Sequence, residues 1–238
     1  MIPPKLVEQI LKENKDHDCT GKKFAGACVK IVAIAKLPTR FGEFQVIAFK
    51  NNIDGKDHAA VIKGNVYKNE NVVTRIHSQC LTGDGFGSLR CDCKEQLTTS
   101  FERIEKEKLG IVMYLRQEGR GIGFANKIRA YALQDKGYDT VEANKMLGFK
   151  TDLRDYGIAA HMLTSLKIGS IKLMTNNPNK ISDLKKHGVK VTERIPLITK
   201  PNEYNLSYLE TKQKKAGQLL GFPEPDGIEQ EEKTITEK

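Results

Sequence analysis

Short apolar runs rich in β-branched residues alternate with amphipathic patterns along most of the chain. In the N-terminal half, four such runs predict strands at residues 27–35, 43–49, 58–63 and 72–76. Ahead of them, Leu6, Ile10 and Leu11 fall on one face of a helix that starts at Pro4. The first half of the chain is therefore predicted to be rich in β structure and to begin with one helix.

The C-terminal half has the pattern of βαβ units. Gly188 follows a predicted helix at the left-handed position that glycine favours. We predict an α/β fold with a single domain and a mixed β-sheet, a β-rich N-terminal half and βαβ units in the C-terminal half. The strands expected in that half are residues 110–115, 170–175 and 189–192, and the helices are 126–136 and 179–187.

Composition divides the 238 residues into three zones. Residues 1–29 are assigned to an N-terminal extension and residues 30–221 to the main folded domain. Residues 222–238 form a tail with six acidic residues against two lysines. A segment so acidic and so poor in apolar side chains cannot bury a core, so we expect the tail to be disordered.

The net charge of +9 favours an anionic partner, which could be nucleic acid or a polyphosphate metabolite. Because the lysines are scattered and tryptophan is absent, we expect no nucleic-acid partner. The chain lacks both the apolar run of about 18 residues that a membrane helix needs and the pattern of a signal peptide. We therefore expect a cytoplasmic protein with no membrane partner, in which cysteines stay reduced.

Three of the five cysteines lie within fourteen residues, at Cys80, Cys91 and Cys93. Thiolates at this density suit a borderline divalent metal, above all Zn²⁺. Three protein ligands would leave one tetrahedral position for water, as in catalytic zinc sites. The spacing is not a common zinc-finger spacing, so the alternative is two buried cysteines and a third by chance.

A glycine-rich segment, residues 118–123, separates the strand at 110–115 from the next helix. Backbone amides at the start of a helix bind anions, and glycines allow close approach. The Glu118 carboxylate could accept hydrogen bonds from guanine N1–H and its 2-amino group, while Arg120 could hold a phosphate. The segment suits a guanine nucleotide, although its spacing is not the dinucleotide fingerprint and a plain turn is the alternative.

Two further segments precede helical patterns. In residues 151–156 we interpret Asp152 as a helix N-cap, because Asp155 follows three residues later as in a capping box. Between Thr175 and Lys180, an asparagine-rich turn either binds phosphate at a helix start or is simply a turn.

Taken together, these motifs resemble GTP cyclohydrolase II. The similarity covers about residues 32–220 and includes, in order, Arg-x-His-Ser-x-Cys-Leu-Thr-Gly-Asp, Ser-Leu-Arg-Cys-Asp-Cys, Arg-Gln-Glu-Gly-Arg and Thr-Asn-Asn-Pro. The resemblance implies an α/β fold, a homodimer, one Zn²⁺ per subunit and Mg²⁺ with the triphosphate. It also implies the first step of riboflavin biosynthesis, in which GTP gives 2,5-diamino-6-(5-phosphoribosylamino)pyrimidin-4(3H)-one, formate and pyrophosphate.

The resemblance further implies roles for individual residues. The zinc ligands fall on Cys80, Cys91 and Cys93. The acid/base aspartate falls on Asp152, the proposed nucleophile on Arg154, and the tyrosine associated with full ring opening on Tyr131. The contacts to GTP fall on Arg75, Ile76, His77, Ser78, Gln79, Gln96, Glu118, Gly119, Arg120, Thr140, Thr175 and Lys180. Since a protonated guanidinium has no free lone pair, a purely electrostatic role is the alternative for Arg154.

One departure keeps other functions open. Gln79 stands where glutamate is usual, which removes a negative charge beside the first predicted zinc ligand. A paralogue of the same fold could release a formylated pyrimidine or use another nucleotide. A different class is a non-catalytic zinc protein that binds nucleotide or RNA. Because the chain carries no synthase domain for dihydroxybutanone phosphate, we expect it to be monofunctional.

Overall fold

The computed structural model describes residues 1–15, 28–149 and 152–222. The predicted tail beyond Phe222 and Thr151 of the segment 151–156 lie outside the described residues. The strands are β1 (Val29–Thr39), β2 (Gly42–Asn51), β3 (His58–Lys63), β4 (Val72–Ser78), β5 (Gly110–Leu115), β6 (Ile171–Met174) and β7 (Val191–Ile195). The helices are α1 (Pro4–Lys15), α2 (Cys93–Glu107), α3 (Phe124–Gln134), α4 (Thr140–Met146), α5 (Gly157–Ser165), α6 (Pro178–Lys186) and α7 (Leu206–Ala216).

The strands form one mixed sheet in the order β1-β2-β3-β5-β4-β6-β7. Neighbours from β1 through β3 to β5 are antiparallel, and neighbours from β5 through β4 and β6 to β7 are parallel. The predicted α/β fold with a β-rich first half and βαβ units in the second is confirmed. In such sheets, ligands bind outside the carboxyl ends of the parallel strands, where the strand order reverses. That position lies at the carboxyl end of β4, which has β5 on one side and β6 on the other.

Both faces of the sheet are covered, as parallel strands require. Along β5, Ile111 and Met113 belong to one apolar cluster and Val112 to another, because successive side chains point to opposite faces. The first cluster includes side chains of α1, α5 and α6, with Ile10 of α1 fully buried. The second includes Ile104 of α2. The first helix thus packs on the same core as the rest of the chain.

The interpretation of Asp152 as a helix N-cap is wrong. The helix α5 begins five residues later, at Gly157, whose backbone N–H donates to the Asp155 carboxylate at 2.6 Å. Asp152 instead accepts hydrogen bonds from the backbone and side chain of Arg154. Leu153 N–H donates to the Arg120 carbonyl at 3.1 Å, so this stretch is held against the glycine-rich turn rather than wound into a helix.

Three helices, α2, α4 and α7, were not among the predicted elements, whereas the predicted strands and the helices α1, α3 and α6 are present within a few residues of their expected bounds. Gly188 adopts φ +80° after α6, as predicted for the residue that ends this helix. Among the described residues, no helix is long and apolar enough to cross a membrane.

Candidate active site

A cleft opens at the carboxyl ends of the parallel strands. Cys80 lies two residues beyond β4, the glycine-rich turn follows β5, and Thr175 directly follows β6. The cleft holds about 1140 Å³ of empty space, part of it open to solvent. The first residues of α2 and the C-terminal helix α7 complete its walls.

The three cysteines meet at one end of this cleft. All three thiols are free, and their sulfur atoms lie within 4.8 Å of one another. The Sγ atoms of Cys80 and Cys91 are 3.7 Å apart. Two thiolates bound at about 2.3 Å to a tetrahedral Zn²⁺ stand about 3.8 Å apart, so this donor set fits the ion.

Gly83 lies in a π-helical turn, Leu81–Gly85. The thiols fit there because glycine has no side chain. A Cβ on Gly83 would lie 2.7 Å from Cys91 Sγ and 3.1 Å from Cys80 Sγ. Such contacts are shorter than van der Waals separation, so the side chain of any other residue would displace a thiol.

Replacing Gly83 by alanine should therefore weaken metal binding. We expect the zinc affinity to fall about 10- to 100-fold, the range found when groups that support metal ligands are lost. Competition with a chromophoric chelator would measure it. The control is Gly85→Ala on the same turn, where the new Cβ would meet only the end of the flexible Leu81 side chain, at 3.2 Å. Equal affinities for the two variants would contradict this account of Gly83.

A buried carboxylate braces the first cysteine. Asp84 accepts hydrogen bonds from Cys80 N–H at 2.9 Å and from the Tyr114 hydroxyl at 2.8 Å. The His77 Nε2 atom lies 3.0 Å from the same carboxylate. Burial lowers the pKa of His77, which favours a neutral imidazole that donates through Nε2–H.

A buried lysine lies beside the same cysteine. Lys127 of α3 places Nζ 3.0 Å from Cys80 Sγ and 2.8 Å from Glu118 Oε1. Burial would lower the pKa of Lys127, but the Glu118 carboxylate and the Cys80 sulfur outweigh it and raise the pKa above its usual value. Hydrogen bonds from the Cys91 and Cys93 thiols, together with the Lys127 ammonium, hold the pKa of Cys80 well below its usual range. Cys80 is therefore a thiolate that is ready to bind a cation.

Basic side chains crowd the rest of the cleft. Burial lowers the pKa of Lys180, and the neighbouring Arg75 and Arg154 lower it further. Lys180 Nζ donates to the Ile76 carbonyl at 2.8 Å, and Arg75 Nε is buried without a partner. Such a cluster of like charges suits a polyanion that would neutralise it. The basic residues that line the cleft are Arg75, Arg90, Arg120, Lys127, Arg154, Lys180 and Lys212, against two acids, Asp92 and Glu118.

Asp152 and Arg154 form an ion pair at the edge of the cleft. The Arg154 Nε atom donates to Asp152 Oδ1 at 2.9 Å and to Oδ2 at 3.2 Å. Burial acts to lower the pKa of Arg154, but the nearby Tyr156 and Asp152 outweigh it, so the guanidinium stays protonated. The ion pair with Asp152 thus fixes the orientation of the Arg154 guanidinium at the cleft.

The glycine-rich turn is strained where it faces the cleft. Arg120 adopts φ +58°, a conformation uncommon for residues other than glycine, between Gly119 at +62° and Gly121 at +96°. Gly121 is also required for close packing, because a Cβ there would lie 3.1 Å from the Leu153 Cβ. Strain of this kind is concentrated at functional sites. The turn leads into α3, where the Tyr131 ring packs against Arg90 and Lys127 and burial raises the pKa of Tyr131 to about 12.

The structure brings most of the predicted site residues together. Ile76 is buried in the core and contributes only its carbonyl, and Asp152 contacts Arg154 from outside the lining. The predicted site residues that line the cleft are Arg75, His77, Ser78, Gln79, Cys80, Cys91, Cys93, Gln96, Glu118, Gly119, Arg120, Tyr131, Thr140, Arg154, Thr175 and Lys180.

Sequence reasoning missed several residues of the lining. Asp92 stands between two predicted zinc ligands, and Lys127 lies one helical turn before Tyr131. Tyr208 and Lys212 have the same spacing of four residues on α7. Pairs at this spacing share a helix face, but the spacing does not show which thiolate or carboxylate each lysine contacts.

Comparisons with known proteins identify the family of this chain. The model of the family described as GTP cyclohydrolase II matches residues 30–196. The chain belongs to this family. Three curated relatives are all described as riboflavin biosynthesis protein RibBA. The protein of Synechocystis sp. is 52% identical over 79% of this chain, that of Endomicrobium trichonymphae 54% over 77%, and that of Bacillus mycoides 53% over 78%.

The match covers only part of those relatives. The chain spans 34% of the Synechocystis protein, 46% of the Endomicrobium protein and 47% of the Bacillus protein. A solved structure of RibBX from A. baumannii, a two domain 3,4-dihydroxy-2-butanone 4-phosphate synthase, aligns with a TM-score of 0.43 and 14% identity. The alignment covers 82% of this chain and 45% of the RibBX chain. The similarity is too low to establish a common fold.

Proposed function

We propose that this chain catalyses the GTP cyclohydrolase II reaction, in which the imidazole ring of GTP is opened and formate and pyrophosphate are released. The observation that carries the proposal is the juxtaposition, in one cleft, of three converging thiols with a cluster of buried basic side chains. The thiols fit a Zn²⁺ ion, and the basic cluster fits the triphosphate of a nucleotide.

Cys80, Cys91 and Cys93 would hold the zinc ion. When bound, zinc would supply a Lewis acid and a water molecule activated near neutral pH. Asp84 would keep Cys80 in place through its backbone N–H, and Lys127 would stabilise the Cys80 thiolate. In other proteins, groups that contact metal ligands in this way orient the ligands and tune their affinity for the metal.

The basic side chains would bind and orient the triphosphate. Arg75 and Arg154 are close enough to Lys180 to add to the effect of burial in lowering the pKa of its ammonium, so phosphate oxygens would favour the charged form. We propose that Mg²⁺ enters with the triphosphate, because the two acids that line the cleft, Asp92 and Glu118, already pair with Lys212 and Lys127.

Glu118 is the residue predicted to recognise guanine. Its carboxylate accepts hydrogen bonds from Leu81 N–H at 2.7 Å, Gly119 N–H at 3.1 Å and Lys127 Nζ at 2.8 Å. A carboxylate has about four acceptor sites, so one is open for the base, and accepting from both guanine N1–H and the 2-amino group would require one of the three present donors to be displaced. Glu118 would thus contact the base and also Lys127, the lysine beside the Cys80 sulfur.

The test is to measure formate released per GTP consumed by protein loaded with zinc and magnesium. One formate per GTP would support the full reaction. GTP consumption without formate would show ring opening without deformylation or simple phosphohydrolysis, and either would overturn the proposed product. No consumption of GTP would overturn the proposal as a whole.

We further propose a homodimer and a cytoplasmic location, as the resemblance to the family implies. The thiols of Cys80, Cys91 and Cys93 are free, but Cys28 is disulfide-bonded, so the expectation that all cysteines stay reduced is wrong and the cysteines give no support for the location. Sedimentation velocity at micromolar concentration would test the dimer, and a single monomeric species would contradict it.

A further inference from the structure

The helix α7 places a lysine deep in the candidate site. Lys212 is 8% exposed, and its Nζ donates to Asp92 Oδ1 at 3.0 Å. Asp92 is 1% exposed and stands between Cys91 and Cys93 in the chain. An ion pair buried to this degree fixes both partners, because neither charge can be left alone without a large cost.

The Asp92 carboxylate is also linked by hydrogen bonds to residues that are predicted to contact the nucleotide. Gln96 Nε2 donates to Asp92 Oδ2, and the Arg75 guanidinium donates to Gln96 Oε1. Arg75 also donates from Nη1 to the Met174 carbonyl at 3.0 Å, at the end of β6. A continuous set of hydrogen bonds therefore runs from α7, past two predicted zinc ligands, to a basic group of the nucleotide cleft.

We propose that Lys212 and Asp92 are a positioning pair that joins the metal site to the nucleotide site and makes α7 part of the active centre. Both halves rest on the proposed function, the metal half on the metal site at the three cysteines alone and the nucleotide half on the binding of GTP, so a parent protein that binds no Co²⁺ would overturn the metal half. With Lys212 in place, the Asp92 carboxylate stays directed at Gln96 and fixes the backbone that carries Cys91 and Cys93. Without it, the buried carboxylate keeps the hydrogen bonds from Gln96 and, at 3.4 Å, from the Thr199 hydroxyl, but its charge has lost its paired cation.

The helix does not depend on Lys212 for its own attachment. Leu209 is 1% exposed, and Leu219 N–H donates to the Asn176 carbonyl at 2.9 Å. Lys215 pairs with Asp139 on α4. A variant at position 212 should therefore keep α7 docked while it removes the charge next to Asp92.

The first experiment compares Lys212→Met with Lys214→Met, which removes the same charge from the exposed side of the same helix. The readouts are the ligand-field absorption of bound Co²⁺ and the Co²⁺ affinity. We expect Lys212→Met to alter the spectrum and to lower the affinity about 10- to 100-fold, whereas Lys214→Met matches the parent protein. Identical spectra and affinities for both variants would overturn the metal half of the proposal.

The second experiment measures the affinity for guanosine 5′-(α,β-methylene)triphosphate by calorimetry, with and without Co²⁺. In the parent protein, metal should strengthen nucleotide binding, and by reciprocity nucleotide should strengthen metal binding. We expect Lys212→Met to reduce this coupling factor and Lys212→Arg to restore part of it. Unchanged coupling in Lys212→Met would overturn the nucleotide half. If the parent binds no nucleotide, the proposed function fails while the Co²⁺ spectra still test the pair.

A double-mutant cycle separates the pair from a general effect on stability. Because removal of either partner leaves the other buried and alone, Asp92→Asn combined with Lys212→Met should cost less in Co²⁺ affinity than the two single changes added together. Strict additivity would show that the two residues act independently and would overturn the proposal.

Discussion

Replacement of Cys91 by serine is expected to lower GTP turnover by more than about 100-fold while the protein stays folded. The sulfur of Cys91 lies 3.7 Å from that of Cys80 and lines the cleft. A serine hydroxyl stays protonated near neutral pH and is a poor zinc ligand, so one of three donors is lost. Loss of a donor should exceed the 10- to 100-fold effects of changing the groups around a metal ligand.

Turnover and bound zinc should be measured together with thermal unfolding. Leu89→Ser is the control, since it alters an exposed residue of the same loop and leaves the three thiols in place. A catalytic metal predicts low zinc content and low turnover with a cooperative unfolding transition. Loss of that transition in Cys91→Ser would instead indicate a structural zinc, as in small domains that unfold without metal.

The sheet could be predicted from the sequence because its signal is local. The strand β3 matches the predicted residues 58–63, and β5 matches 110–115, since short apolar runs between turn residues leave few alternatives. Helix α2 was missed although Leu97, Phe101 and Ile104 recur at the helical spacing i, i+4 and i+7 and pack in one cluster. Helix α7 offers a weaker signal, because charged and polar residues surround Leu206 and Leu209.

Local rules also failed where distant contacts override them. The residues around Asp152 fit a capping box, but Leu153 is held by Arg120, 33 positions earlier in the sequence. The helix consequently starts at Gly157. A capping pattern describes what a short peptide favours, and the glycine-rich turn imposes a different path here.

The same difference between local signals and distant contacts applies to the candidate site. The cluster of cysteines could be predicted because three thiols within fourteen residues are an unusual density that suits a metal. The charges that support them could not, because their partners are remote in sequence. Lys127 and Cys80 are separated by 47 positions and Lys212 and Asp92 by 120 positions. Neither ion pair leaves a trace in local spacing, so only the folded chain reveals which thiolate and which carboxylate each lysine serves.

Lys127→Met should have the second large effect, on both metal binding and stability. The change keeps the length of the side chain but removes the ammonium that lies between Cys80 and Glu118. We expect the zinc affinity to fall about 10- to 100-fold, because the Cys80 thiolate loses its cationic neighbour. We also expect the metal-free protein to lose about 3 kcal/mol of unfolding free energy, since Glu118 remains buried without its partner.

Arg129→Met is the matched control, because it removes a positive charge from the exposed face of the same helix. Chelator competition and urea unfolding of the metal-free protein would measure the two effects. If the buried pair is the cause, Lys127→Met combined with Glu118→Gln should recover much of the lost stability but not the zinc affinity, because only the first depends on the unpaired carboxylate. Recovery of both, or of neither, would show that Lys127 does not act on the thiolate and the carboxylate as separate partners.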